Sequence, residues 1–572
     1  MYFYENLKQI LFGILKLMNK ERVLVNKDFE RKKFNIETSS NWEFGDISTN
    51  IAMIYWKDSI FDLYEFAENI KKRLLENLYI EKVEIKKPGF INIFLKKIFI
   101  QNQLKLVQTN TIKKAFKKQK INIEYVSANP TGLMHVGHAR GAILGDSLAN
   151  LLKSVGHDVT KEYYINDAGN QIESLKDTIL FHKKNKENKN KEKLPEHLYP
   201  GEYLEKIAEE MDENLFINSK SKNSEEIKKR AVNLILKDIK KDLQGIGVKH
   251  DIFISEKKIS TDVQVKNIIS ILKKKKLVYE GFQDKPKGIS NKNWVKTKQL
   301  LFKSKLLSDD SDRALIKSDG SLTYFMSDII YHGKKIEKKY DILINIWGKD
   351  HSGYVTRLDN AVKSIFNENF KLKVKLTALV NLIKKNKILK MSKRQGTYIT
   401  LRDVLKEVGK DALRFMMISR SSDKVLDFDF DLIKSRTKDN PVFYVQYAHA
   451  RCCSINKIAK QFFDKKIIKK EQDFSLLSLP EEISLIKLLC LFNKNIELAV
   501  DTFEPNKLTN YLYDLSKSFH SYWSLGTLSS EKRILIEKNM ELSQARLGLV
   551  NGVKKIIFQG LKILDISAPS SM

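Results

Sequence analysis

A chain of 572 residues is long enough for three or four domains, and an apolar share of 42% gives them packed cores, which excludes a disordered or fibrous protein. The net charge of +32, from 102 basic and 70 acidic side chains, suits a polyanionic partner, yet lysine is spread along the whole chain, so charge alone identifies none. Only three cysteines occur, Cys452, Cys453 and Cys490, which excludes a disulfide framework and points to a reducing compartment.

Leu7, Ile10, Leu11, Ile14, Leu15 and Met18 recur at helical spacing and predict an amphipathic opening helix. Its apolar stretch, Ile10 to Leu15, is far shorter than a membrane span and no longer one follows, so a soluble, cytoplasmic protein is expected. Trp42 to Asn50 leads into a further helix, and Val83, Ile85 and then Gly89 to Leu95 alternate as strands do. Residues 1–116 are therefore expected to form a compact α+β domain without a catalytic constellation, with the basic linker Lys113 to Lys120 at its end.

The next stretch, Ile121 to Asp146, reads INIEYVSANPTGLMHVGHARGAILGD. Ile121, Ile123 and Tyr125 alternate with polar residues as in a half-buried strand, whereas Ile143, Leu144, Leu148, Leu151, Leu152 and Val155 fall at helical spacing before Gly156 as a stop. A turn holding Pro130 and Gly132 joins them and places His135 and His138 where the helix begins. Open backbone N–H groups and the positive end of the helix dipole are expected there, a setting that attracts a nucleotide triphosphate. The plainer alternative is a cap and a surface histidine; the strand before and the helix after favour phosphate handling.

Val159 to Ile165 supplies the next strand of a βαβ unit. Lys183 to Lys193, KKNKENKNKEK, is expected to be a solvated loop, and Glu225 to Gly245 and Val263 to Lys274 to be helices. Asp341 to Trp347 and Val374 to Leu382 each read as an apolar strand, so residues 117–435 alternate strands and helices in two halves, the pattern of a doubly wound parallel α/β sheet. Lys390-Met391-Ser392-Lys393 follows, which alone is most often a solvated loop, and then a helix start at Thr400. From 436 to 572 only helices are expected; Asn440 as cap and Pro441 at the first helical position begin one, and Gly560 to Ile566 closes the last. His449 and Cys453 are four apart, but no second pair of suitable spacing exists, so no protein-bound metal is expected.

The pair His135-Val136-Gly137-His138 and Lys390-Met391-Ser392-Lys393, in this order and far apart, resembles the two signatures of the class I aminoacyl-tRNA synthetases. Other residues narrow the resemblance to the arginyl-tRNA synthetases: Glu124, Ser127 to Gly132, His138 to Gly141, Tyr163 to Gln171, Asp319 to Tyr324 with Asp328, Trp347 to Tyr354, and Asn440 to Arg451. Arg394 departs from the general signature, which ends in serine there.

The resemblance implies a multidomain enzyme: an α+β N-terminal domain touching the outer corner of tRNA, a Rossmann-type catalytic domain, and an all-α anticodon-binding domain. The implied reaction is ATP-dependent attachment of L-arginine to tRNA(Arg) through an arginyl-adenylate, releasing pyrophosphate and AMP. His135, His138, Lys390 and Lys393 would be catalytic. Ala128, Asn129, Pro130, Thr131, Gly132, Gly137, Met391 and Ser392 would surround ATP, Gly137 letting adenine and ribose approach the backbone. A planar guanidinium is best read by carboxylates, and the resemblance nominates Asp328 with Tyr324 and Glu124, and Asn129 and His351 nearer the α-amino and carboxylate end. Asp328 and Tyr324 share a face if their segment is helical. No editing domain is expected. Phe443, Tyr444, Tyr447 and Phe503 would stack on unpaired bases, the competing fate of each being burial in the bundle. Mg²⁺ would arrive with ATP, and a monomer without membrane or obligate protein partner is expected. Three other readings remain: a nucleotidyltransferase that activates a small acid, which predicts no anticodon domain; an inactive RNA-binding relative, which a charging assay separates; and another class I specificity, which a panel of amino acids separates.

Overall fold

The structure is a computed structural model, and it describes residues 3–24, 34–38, 42–109, 112–187, 192–217, 221–283, 297–366, 371–389, 399–463 and 472–572. Helix α1 (Phe3–Lys20) buries Leu7, Leu11, Ile14, Leu15 and Met18, the stripe its spacing demands. It is followed by β1 (Ile36–Thr38), β2 (Ile47–Thr49), α2 (Ile51–Tyr55), α3 (Leu63–Leu75), β3 (Ile80–Lys86), β4 (Phe90–Leu95) and α4 (Lys97–Thr109). The strands form an antiparallel sheet in the order β1-β2-β4-β3. Helix α4 leaves this sheet to clasp the far end of the chain: Gln101 Nε2 donates to the carbonyls of Ser475 and Leu477 (3.0 and 2.7 Å), and Lys555 Nζ donates to those of Val107 and Gln108 (3.2 and 2.8 Å).

The middle of the chain runs β5 (Lys120–Glu124), α5 (Val136–Ser154), β6 (Asp158–Ile165), α6 (Asn170–Glu187), α7 (Glu202–Glu210), α8 (Asn214–Ile217), α9 (Ser221–Gly245), β7 (Ile252–Ser255), α10 (Glu256–Ile259) and α11 (Asp262–Lys274). It continues with β8 (Val278–Phe282), β9 (Lys298–Phe302), β10 (Arg313–Ile316), α12 (Tyr324–Glu337), β11 (Ile342–Gly348), α13 (Ser352–Phe366), β12 (Lys371–Thr377), β13 (Val380–Lys384), β14 (Lys387–Ile388), α14 (Leu401–Val408), α15 (Lys410–Met417), β15 (Leu426–Asp429) and α16 (Phe430–Lys434). The expected doubly wound sheet is present: five parallel strands in the order β12-β11-β5-β6-β7. The order reverses between β5 and β11, and a crevice at the carboxyl ends of such strands is where α/β sheets bind ligands. Helix α5 begins at that crevice. Its residues from Ala142 to Ala149 are all buried, because it lies between the sheet and the helices of the C-terminal domain.

Two expectations need correction. The lysine-rich stretch that reads as a loop from Lys183 is helical as far as Glu187, because its charges find partners across the helix pair: Lys183 lies 3.3 Å from Glu213 and Lys186 lies 2.8 Å from Glu209. The single strand expected over Val374 to Leu382 is two strands in different sheets, broken at Ala378-Leu379. The buried guanidinium of Arg140 sits at the break, donating to the carbonyls of Ala378 (2.9 Å) and Leu379 (3.4 Å); the Leu379 carbonyl also accepts the Leu426 N–H (3.1 Å), which starts the pairing of β13 with β15.

The C-terminal part is helical throughout its described residues: α17 (Pro441–Phe462), α18 (Pro480–Cys490), α19 (Phe492–Thr502), α20 (Asn506–Leu528) and α21 (Met540–Ile563). Asn440 caps α17 by accepting the Phe443 N–H (3.3 Å), with Pro441 at the first position. Among the described residues no helix is long and apolar enough to cross a membrane.

Candidate active site

Past the end of β5 the chain bends sharply, with Val126 and Ser127 at positive φ (71° and 41°). The bend is held from outside: Tyr163 Oη donates to the Ala128 carbonyl (2.8 Å), and Ser127 Oγ accepts the Tyr164 N–H (3.1 Å) and donates to Glu124 Oε1 (3.0 Å). The turn then delivers His135 as the cap of α5. His135 Nδ1 accepts the Gly137 N–H (3.1 Å), His138 Nδ1 accepts the His135 N–H (3.3 Å), and the two rings stack with centroids 3.9 Å apart. The amides expected to stand open here are therefore capped by imidazole. In exchange each neutral ring must carry its proton on Nε2, which makes that nitrogen a donor. Gly137 serves His135 first: a Cβ there would lie 3.0 Å from His135 Cε1 and 3.1 Å from Nδ1.

A cavity of about 180 Å³ opens beside these rings, lined by Asn129, Thr131, Gly132, Leu133, His135 and His138, by Tyr199 and Pro200 from the segment before α7, and by Tyr203 in its first turn. Tyr203 Oη donates to the Thr131 carbonyl (2.8 Å). Lys390, Met391, Ser392 and Lys393 lie outside the described residues, but both flanks of their segment are placed. Leu389 N–H donates to the Leu382 carbonyl (2.8 Å), Thr400 forms an antiparallel bridge with His135, and Leu401 N–H donates to the Met134 carbonyl (2.9 Å). The chain thus returns from that segment directly against the first histidine.

At the strand-order reversal Glu124 of β5 and Asn345 of β11 face each other. Lys335 of α12, with 1% of its side chain exposed, reaches Glu124 Oε2 (2.9 Å), Asn345 Oδ1 (3.4 Å) and Glu162 Oε1 (3.7 Å), and Tyr331 also donates to Glu162. His332 is neutral, its pKa pushed down to about 3 by burial; Nδ1 donates to the Asp328 carbonyl (2.8 Å) and Nε2 accepts from Asn345 (2.8 Å). Asp328, also on α12, accepts a 2.6 Å bond from Tyr354 Oη. Burial, helped by the nearby charges of Glu124 and Glu256, pushes its carboxyl up to about 7 against the opposing effect of that bond. Glu256, the first residue of α10, is buried and likewise raised by burial, against hydrogen bonds from Ser327 and Tyr164 to its carboxyl, and its Oε2 lacks a close partner among the described residues. Glu124 and Glu162 therefore share one lysine, with the carboxyls of Asp328 and Glu256 close by. An excess of buried acid with an unsatisfied oxygen fits a planar cation with several donors.

Three family models cover nearly the whole chain: the arginyl tRNA synthetase N terminal domain over residues 5–95, the class I (R) tRNA synthetase catalytic domain over 100–438, and the DALR anticodon binding domain over 445–572. The chain belongs to the arginyl-tRNA synthetase family. Among relatives, it is 42% identical over 553 residues to the arginine–tRNA ligase of Rickettsia bellii (strain OSU 85-389), covering 94% of this chain and 95% of that one. It is 41% identical over 574 residues to that of Wolbachia pipientis subsp. Culex pipiens (strain wPip), covering 99% of each. The arginyl-tRNA synthetase of Thermus thermophilus, 19% identical, shares the fold with a TM-score of 0.74 over 99% of this chain and all of that one.

Of the residues the family likeness nominates, the structure gathers Asn129, Thr131, Gly132, His135 and His138 about one cavity, with Ala128, Pro130 and Gly137 in the same turn, and sets Glu124 and Asp328 in one acid cluster. Tyr324 opens α12 and is 60% exposed, so Tyr354, not Tyr324, is the phenol bonded to Asp328. His351 is also exposed, in the turn after β11. On α17, Phe443 stacks on Tyr447 (5.6 Å, 12°), and Tyr444 packs against Tyr513 and His520; all three are partly buried, as is Phe503 at the end of α19. Sequence reasoning missed Glu256, Lys335, Glu162, Tyr199 and Tyr203. Tyr354 stood in a matched motif without an assigned part.

Proposed function

We propose that the crevice between β5 and β11 is where this chain activates L-arginine with ATP and passes it to tRNA. Asp328 and Glu256 read the guanidinium there, while His135 and His138 serve the phosphates. Members of this family are arginine–tRNA ligases that use ATP, and the buried acid cluster beside the histidine cap is the observation that carries the assignment to these residues. Arginine enters with its side chain toward Asp328, Tyr354 and Glu256; Glu124, tied to Lys335, holds the nearer end, with Asn129, Tyr324 and His351 at the mouth. The arginine carboxylate attacks the α-phosphorus of ATP and pyrophosphate leaves. No bond to the protein is needed, only positioning and donors aimed at developing charge. The Nε2–H groups of His135 and His138 are those donors. Lys390 and Lys393, in the segment that precedes Thr400, neutralise the departing pyrophosphate, with Met391 and Ser392 between them in sequence. A ribose hydroxyl at the tRNA 3′ end then attacks the adenylate carbonyl and AMP leaves.

ATP enters as its Mg²⁺ complex, the ion arriving on the phosphates as is usual for ATP. The division 1–116, 117–435 and 436–572 assigns the outer corner of tRNA to the first part and the anticodon to the last, where Phe443, Tyr444 and Tyr447 offer ring faces. The free thiols of Cys452, Cys453 and Cys490 support a cytoplasmic location, and a monomer is proposed with it. The test is arginine-dependent exchange of pyrophosphate into ATP with tRNA present; absence of exchange with arginine overturns the reading.

A further inference from the structure

Helix α5 is gripped at its middle by buried charges. Asp146 on α5 is 1% exposed, and Arg414 on α15 is fully buried 2.7 Å from it. Lys161 of β6 reaches the other carboxylate oxygen at 2.7 Å. The rest of the Arg414 fork points away from α5: Nε donates to the Leu564 carbonyl and Nη1 to the Ile246 carbonyl, both at 2.9 Å, with Asp565 3.7 Å from Nη1. Leu564 caps the carboxyl end of α21, the last helix of the C-terminal domain, and Asp565 follows it. On the other side of Asp146, Gly145 lies so close to Tyr125 that a Cβ would come within 2.2 Å of its ring, so α5 rests directly on the residue that follows Glu124.

A buried ion pair is a poor way to gain stability, since apolar side chains of the same volume hold a core as firmly. What the guanidinium supplies is direction: its planar fork holds acceptors on three separate segments in fixed relative directions, which the freely turning ammonium of a lysine does not. We infer that Arg414 is a positioning residue that couples the seat of α21, and with it the helical C-terminal domain, to the helix carrying His135 and His138. It acts through Asp146 and sets where the imidazoles stand when the adenylate forms.

The inference rests on the aminoacylation reading, so exchange by the unsubstituted full chain is measured first; its absence overturns that reading, not the coupling. Arg414→Lys, His138→Asn and the double variant are then compared by arginine-dependent pyrophosphate exchange with tRNA present. Arg414→Lys keeps a charge for Asp146 but not the bonds to both carbonyls. It is expected to lower kcat about tenfold with KM for ATP and arginine within about twofold, and to cost less than about threefold once His138 is replaced, since residues acting through one another are not additive. An equal loss on both backgrounds, or a loss confined to KM, overturns the coupling. Asp565→Asn covers the case in which Arg414→Lys does not fold. Asparagine tolerates the φ of +55° at this part-exposed position, and kcat is expected to fall about threefold with the melting temperature within about 2 °C. Unchanged kcat in this variant overturns the inference.

Discussion

Tyr354 Oη donates to Asp328 Oδ2 at 2.6 Å, and the carboxyl it holds still titrates near neutrality, at about 7, because burial and the charges of Glu124 and Glu256 outweigh the bond. A guanidinium needs this group ionised. The ionised fraction rises from about 0.1 at pH 6 to about 0.9 at pH 8, so arginine is expected to bind about tenfold more tightly at pH 8, by calorimetry. Asp328→Asn should bind weakly with no such slope, and a flat profile for the natural protein would contradict the assignment. The same shift makes the arginine-free protein less stable as pH climbs from about 4 to about 7, since the unfolded carboxyl ionises near 3.8 while the folded one keeps its proton.

Lys335→Met removes the cation shared by Glu124 and Glu162, whose side chains are 8% and 1% exposed. Stranding buried carboxylates costs about 3–5 kcal/mol, which urea denaturation should show. A loss below about 1 kcal/mol would mean that water or another donor already serves them.

His138→Asn should lower the rate of adenylate formation by about 10²–10³ while leaving KM for ATP within a few fold, as expected for a donor that matters most at the transition state. Equal losses in rate and affinity would reduce His138 to a binding residue.

Gly137→Ala places a methyl 3.0 Å from the His135 ring and must displace it. A fall in kcat of about tenfold with an unchanged melting temperature is expected, because one misaimed donor weakens catalysis without opening the core. Full activity would show that the imidazole moves aside without consequence.

What could be read from the sequence follows how far apart the partners lie. The turn from Tyr125 to His138 was legible because its strand, bend, cap and helix are consecutive, and the start of α17 because Asn440 and Pro441 are adjacent. The acid cluster was legible only where a family motif passed through it. Glu124 meets Lys335 across 211 residues, and nothing around Glu256 in Ser255-Glu256-Lys257-Lys258 distinguishes it from a solvated surface acid. The break at Ala378 was hidden for the same reason, since the guanidinium bonded to its carbonyl belongs to Arg140, 238 residues earlier. Lys183 to Glu187 looked like a loop by composition, and only the neighbouring carboxylates of Glu209 and Glu213 make it a helix surface.

The most direct test is a charging panel: the natural protein and Asp328→Ala, each offered tRNA(Arg), ATP and the twenty amino acids in turn. Esterification of tRNA by arginine alone, abolished in the variant, is the predicted result. Charging with a different amino acid, or undiminished arginine charging by Asp328→Ala, would contradict the account.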